Sequence, residues 1–188
     1  MENSGRKLWN EFVGVNMESA GGSDYGTFFP ALSEVVAGAD VDDALGDRIM
    51  DLTRGWLEGH SLRDFKNTTG AAYGRTYLGR SAETGWEAIV MSWERGRSSS
   101  IHAHPQFAGY FFADGDFLVE LFEPVAPGKA RLTQQVKVSA PHGFYAIGGA
   151  GRFDNHIHRI TCLSDEGHSL HIYSGDALQG EVYGLAEE

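Results

Sequence analysis

The stretch "GYFFADGDFLVELF" spans residues 109–122. Two apolar, aromatic runs flank Asp114-Gly115, a dipeptide suited to tight turns because glycine takes positive φ without steric cost. The pattern predicts two antiparallel strands joined by a two-residue turn, that is, a hairpin. The same texture extends in both directions from about Asn67. "WEAIVMSW" (86–93) is almost wholly apolar, as a strand covered on both faces would be. "RLTQQVKV" (131–138) alternates and reads as a half-exposed strand. "HRITCL" (158–163) and "HSLHIYS" (168–174) read as the last two strands. Many short, turn-punctuated strands predict a sandwich or small barrel.

Upstream, the period changes from two to 3.6. In "ADVDDALGDRIMDLTRGWLEGH" (39–60), Val41, Leu45, Ile49, Leu52 and Trp56 fall on one helical face. Asp40 is the expected N-cap, with Asp42 and Asp43 in the first turn, where carboxylates suit the helix dipole, and Gly59 is the expected stop. Shorter helical stretches are expected at Leu8 to Val15 and at Phe28 to Val36. The expected organisation is one domain over 1–188, with a helical N-terminal segment (1–66) and a β-barrel (67–188).

The chain has 188 residues and a formal net charge of −11. That field repels phosphate backbones and anionic lipid, so neither nucleic acid nor a membrane is expected as a partner. No apolar run approaches the roughly 20 residues that cross a bilayer. The N-terminus lacks a signal-type apolar region, and the single cysteine, Cys162, permits no internal disulfide. A cytoplasmic protein, monomeric or a small homo-oligomer, is expected. With one cysteine, a metal site would have to use histidine or carboxylate.

The histidines supply a candidate. His102 and His104 form one His-x-His pair and His156 and His158 form a second, in "NHIHRI". On a strand, i and i+2 share a face, so each pair projects into one space. One such pair arises easily by chance in a β protein; two in one small domain point to a metal. Imidazoles without thiolates suit iron, nickel, copper or zinc. Such a set leaves the cation its full charge, which favours an anionic ligand such as a thiolate or carboxylate. Ser169, His171 and Tyr173 also stand at i, i+2 and i+4, able to form a hydrogen-bonded row that orients the phenol. Tyr73 and Arg75 repeat the spacing, and a guanidinium is the natural clamp for a carboxylate. Taken singly, the common alternatives for these last two rows are a solvent-facing strand and a surface arginine.

Together these motifs carry a resemblance. Gly96 followed by His102-x-His104 looks like the first half of the cupin metal motif. The order Tyr-x-Arg, "SWERGRSSSIHAH", His-Arg and Ser-x-His-x-Tyr-Ser resembles the cysteine dioxygenase family of bacterial type, from about Tyr73 to Ser174. The resemblance implies a mainly-β cupin barrel, a double-stranded β-helix or jelly roll, preceded by helices. It implies that His102, His104 and His158 hold Fe(2+), a site that would also accept nickel or another divalent metal. His158 is preferred over His156 because it precedes Arg159. It further implies that Arg75 and Tyr73 bind a carboxylate and that Ser169, His171 and Tyr173 form the catalytic row. The implied activity is dioxygenation of L-cysteine, or a close small thiol acid, to a sulfinic acid, with O2 as co-substrate. Other readings are oxidation or rearrangement of cysteine beyond the sulfinate, a cupin isomerase using Tyr173 as acid, and a metal-binding sensor. Three departures from the family stand out. The slot that carries a cross-linking cysteine in animal relatives falls on Ala108 or Gly109. "GGAGRFDN" (148–155) is unusually glycine-rich, and "SGDALQG" (174–180) replaces the usual Ser-Pro-Pro.

Overall fold

The structure is a computed structural model that describes residues 24–186. The expected helix at Leu8 to Val15 lies outside the described residues. Two helices come first, α1 (Phe28–Val36) and α2 (Asp43–Leu57). Ten strands follow: β1 (Tyr73–Arg80), β2 (Glu87–Glu94), β3 (Ile101–His104), β4 (Phe107–Asp114), β5 (Asp116–Ala126), β6 (Lys129–Ser139), β7 (His142–Ile147), β8 (Asn155–Cys162), β9 (Glu166–Tyr173) and β10 (Val182–Leu185). One sheet runs β1-β2-β9-β4-β7; the other runs β10-β3-β8-β5-β6 and closes through parallel pairing of β10 with β6.

The pairing is nested. β2 pairs β9, β3 pairs β8, β4 pairs β7 and β5 pairs β6, all antiparallel. This is one long antiparallel ribbon rolled up so that successive strands alternate between two facing sheets. The fold is a mainly-β cupin barrel, a double-stranded β-helix, with two helices ahead of it.

The rolling corrects the reading of Asp114-Gly115. β4 and β5 lie in different sheets, so the dipeptide is a corner rather than a hairpin. Gly115 has φ +85°, and a Cβ there would sit 3.0 Å from Glu166 O and from Gly167 Cα. Asp114 turns its carboxylate onto His168 Nδ1 at 3.0 Å, while His168 Nε2 lies 2.9 Å from Phe65 O. The corner is thereby tied to both β9 and the segment leaving the helices. Turn chemistry alone is shared by hairpins and corners; the long-range partners decide.

Three smaller corrections follow. The N-cap of α2 is Asp42, not Asp40: its side chain accepts from Leu45 N at 2.9 Å, the usual N3 donor. β6 is mostly exposed rather than half-buried, with Leu132 and Val136 both more than a third accessible and only Ala130 and Val138 buried. β9 is not the last strand, since β10 returns to pair β3 and β6.

Burial explains the rest. On one face of the first sheet, Ala88, Val90, Leu170 and Ile172 pack with Leu32, Leu45 and Ile49 of the helices. On its other face, Ile89, Met91, Trp93, Tyr110 and Phe112 fill the barrel with Phe117 and Ile160. β2 is therefore buried on both faces, as its apolar run requires. Truncating any fully buried leucine or isoleucine here, Leu32 or Ile49 for example, costs about 2–5 kcal/mol. Among the described residues, no helix is long and apolar enough to cross a membrane.

Candidate metal centre

His102 and His104 project from β3 and His158 from β8, its neighbour in the second sheet. One ligand nitrogen from each forms a cluster in which all three lie within 4.8 Å of one another. The His104 and His158 side chains are buried, and their Nε2 atoms have no hydrogen-bond partner among the described residues. A buried, unpartnered nitrogen normally costs free energy unless something fills its lone pair. Two of them converging with a third imidazole fit a divalent cation.

The other ring nitrogens are occupied. His102 Nδ1 donates to Ser100 O at 2.9 Å and His104 Nδ1 donates to His156 O at 3.2 Å. Carbonyls only accept, so each Nδ1 carries the proton and each Nε2 keeps its lone pair. Burial pushes the His102 pKa down to about 4 and those of His104 and His158 well below the usual imidazole range, with mutual repulsion adding to the effect in the latter two. All three are neutral at pH 7, the form that ligates.

Local backbone geometry sets this up. His102 faces His158 and His104 faces Asn155, so His156 and Ile157 together oppose Ala103 alone. That is a β-bulge, and His156 within it has φ +46°. The Asn155 amide fixes the bulge by donating to the carbonyls of Pro105, Gln106 and Ala146. Beside the edge of β3, Gly180 lies so close that a Cβ would fall 1.8 Å from Ala103 O. The divergent segment 174–180 therefore ends alongside the strand that bears two of the histidines, where Ala103 N donates to Glu181 O at 2.9 Å. Arg159 points away from the cluster and grips Glu120 with two hydrogen bonds, the longer at 2.8 Å, locking β8 to β5.

Ser169, His171 and Tyr173 do form a hydrogen-bonded row along β9. Ser169 Oγ lies 2.8 Å from His171 Nε2, and His171 Nδ1 lies 2.8 Å from Tyr173 Oη. Trp93, which sequence reasoning did not single out, anchors its far end. The Trp93 Nε1–H can only donate, and it does so to Ser169 Oγ at 2.9 Å. Ser169 Oγ keeps a second lone pair and its own proton, so the row can run either way. When Ser169 donates to His171 Nε2, His171 Nδ1–H donates to Tyr173 Oη and the Tyr173 proton is left free for another acceptor. Burial holds this phenol protonated, and the Tyr173 ring stacks on His104 at 5.3 Å. The signal for Trp93 was its parity: Glu87, Ile89, Met91 and Trp93 share the inner face of β2.

Arg75 and Tyr73 lie on the inner face of β1, opposite Met91 and Trp93. Arg75 is near enough to lower the pKa of both His102 and His171. Its Nη2 donates to Tyr77 Oη at 3.3 Å, and its Nε is buried without a partner. Burial opposes its charge and the Glu87 carboxylate favours it; the guanidinium, basic far above neutrality, stays ionised. Tyr73 packs on Trp93 at 4.5 Å. Glu87, also unremarked in the sequence, is fully buried on the same wall and accepts from Ala177 N at 2.9 Å. At the cross-link slot, Ala108 is the residue paired with Tyr173, whereas Gly109 faces Met50 on the helical side. Cys162 is buried and donates to Ser164 O at 3.3 Å.

No protein-family model matches the chain, and no curated protein sequence does. Solved structures do. A double-stranded β-helix domain protein from Klebsiella pneumoniae is similar at 12% identity and TM-score 0.49, over 66% of this chain and 96% of that one. A cupin superfamily protein from Desulfitobacterium hafniense is similar at 12% identity and TM-score 0.44, over 61% and 86%. An oxalate oxidase in complex with the substrate analogue glycolate is similar at 15% identity and TM-score 0.45, over 63% and 60%.

Proposed function

We propose that the protein is a non-haem iron dioxygenase that adds O2 to the sulfur of L-cysteine or a close small thiol acid. The observation that carries this reading is the pairing of two features in one interior. A neutral three-histidine cluster stands beside a buried guanidinium whose Nε has no partner. The first suits a cation that retains its charge; the second suits a carboxylate. A small molecule bearing both a thiol and a carboxylate satisfies the two at once.

Iron(II) at the three histidines would supply the binding and activation of O2 together with the thiolate. The chain's residues do the remainder. Arg75 holds the substrate carboxylate, and Tyr77 keeps the guanidinium from rotating. Fixing the substrate in this way supplies the orientational share of the rate. Trp93, Ser169 and His171 hold the Tyr173 phenol in place, and in the order where Ser169 donates to His171 its proton is directed away from the row, available to an oxygen atom on the substrate side. The buried aromatic wall of Trp93, Tyr110 and Phe112 limits water. The balance is RSH + O2 → RSO2H: both oxygen atoms end on sulfur, which loses four electrons as O2 gains four.

The test is an oxygen electrode with iron-loaded protein. The expected result is cysteine-dependent O2 uptake with one sulfinate formed per O2. Cysteine turnover without O2 uptake would instead favour acid-base chemistry by Tyr173, and an absence of turnover with metal bound would favour a sensor.

A further inference from the structure

We infer that His156 is a positioning residue that decides which nitrogen His158 offers to a cation. The inference rests on the three-histidine centre of the proposed function but not on the thiol chemistry.

The two His-x-His pairs do different work. Both members of the first belong to the cluster, but only His158 of the second does. Each imidazole of the first pair has its Nδ1 against a carbonyl, a partner that can only accept, so its tautomer is fixed outright. His158 has no carbonyl. Its Nδ1 lies 3.0 Å from His156 Nδ1 instead. An imidazole nitrogen either donates or accepts, so two arrangements satisfy this contact. In the first, His158 Nδ1–H donates to the His156 lone pair, and His158 Nε2 is left free to ligate. In the second, His156 Nδ1–H donates to His158 Nδ1, the His158 proton moves to Nε2, and the third ligand is blocked. The Tyr110 hydroxyl, 3.2 Å from the same His156 atom, can donate or accept and so follows the choice without making it. Cation binding and the tautomer of the His156–His158 pair are therefore one equilibrium.

His156 serves the centre twice. Its carbonyl accepts from His104 Nδ1 while its ring meets His158. Both contacts require the bulge, in which His156 is the one non-glycine with positive φ among the described residues. Glycine enters that region without steric cost, while residues with a Cβ enter it less often, histidine and asparagine among the more tolerant. The conformation aims the carbonyl and the ring of one residue at two members of the cluster.

That conformation also makes the test clean, because His156→Gly removes the ring while keeping the carbonyl and relieving the backbone. The full chain is titrated with Ni(2+) by calorimetry, and thermal midpoints are read without metal. We expect His156→Gly to melt no lower than the wild type yet to bind Ni(2+) at least about tenfold more weakly, the usual effect of losing the partner of a metal-bound histidine. His156→Asn, whose amide oxygen can accept from His158 Nδ1, should recover affinity to within a few-fold. Glycine binding as tightly as the wild type would overturn the inference, as would asparagine binding no better than glycine. His104→Ala is the control for the centre. If wild type and His104→Ala bind Ni(2+) equally, the three-histidine centre falls and this inference with it.

Discussion

Replacing Arg75 with alanine tests the proposed carboxylate contact apart from everything else in the site. In the structure one guanidinium N–H is committed to Tyr77 Oη and the Nε–H is buried with no partner, so the group has donors to spare for a planar, two-oxygen ligand. A hydrogen bond to a charged partner contributes about 1.5–3 kcal/mol, and two parallel bonds from the fork give a gross figure of about 3–6 kcal/mol. The lower end is appropriate, because truncation admits water that pairs with the carboxylate in place of Arg75. About 3 kcal/mol corresponds to roughly a hundredfold in affinity. The expected result with iron-loaded Arg75→Ala is a kcat/KM for cysteine about a hundredfold lower, carried mainly by KM. Cysteamine, which lacks the carboxylate, should change by less than about threefold. Arg75→Lys, which keeps charge but loses the fork, should fall between the two. O2 uptake under saturating oxygen with both thiols is the assay. An equal loss for cysteamine and cysteine would refute the reasoning, because the arginine would then be acting on the fold or the metal and not on the carboxylate.

Trp93→Phe removes the donor that holds Ser169 at the head of the β9 row, so kcat should fall about tenfold with metal affinity unchanged; an unchanged kcat would mean the row needs no anchor there. Glu87 has a pKa raised above the carboxylate norm, chiefly by burial. Its contribution to stability is present in full below the unfolded value and is lost as pH rises through the folded value. Glu87→Gln should therefore flatten the decline of the thermal midpoint as pH rises above the ordinary carboxylate value, and parallel curves for the two proteins would contradict this. Asp114→Ala strips the carboxylate from His168 at the corner between the sheets and should lower stability by about 1–3 kcal/mol in urea unfolding. Its Ni(2+) affinity should stay at the wild-type value, since the corner lies on the helical side.

Much of this was legible in the chain. Helix α1 falls at the expected Phe28–Val36, the doubly buried β2 follows from its apolar run, and the i, i+2, i+4 row on β9 and the i, i+2 pair on β1 each share a face because strands alternate. The failures have one physical source. A local signal states what the backbone can do, not what it will pair with. Asp114-Gly115 turns the chain, but β5 pairs β6 and β8 instead of β4 because the ribbon is rolled. The alternation in 131–138 marks a strand but not a buried face, because that side of β6 has no layer over it among the described residues. β10 is four residues long and contains glycine, too short for its composition to register. Trp93 and Glu87 were hidden in a run that reads as plain core. Their roles depend on polar partners 76 and 90 residues away.

Charge balance in the interior narrows the ligand further. Three neutral imidazoles contribute nothing to offset a divalent cation, and Arg75 adds one more positive charge, while buried Glu87 on that wall is already shared with Arg80 at 3.5 Å. Uncompensated charge out of water is expensive, so the interior should favour a small ligand that brings two negative groups, a thiolate and a carboxylate. The exterior has the opposite sign, −11 in all. Exposed charges act weakly beyond the Debye length, about 8 Å at physiological salt, whereas buried pairs are screened much less. Recognition is thus short-range, made against the outer field. Adding salt should therefore raise kcat/KM modestly for a thiol acid that is anionic in solution, such as mercaptopropionate, by weakening the repulsion on approach. Cysteine, neutral overall in solution, should change little. A fall for the anionic thiol as salt rises would mean that long-range attraction draws it in, and the interior could not then be the sole source of the preference for anions.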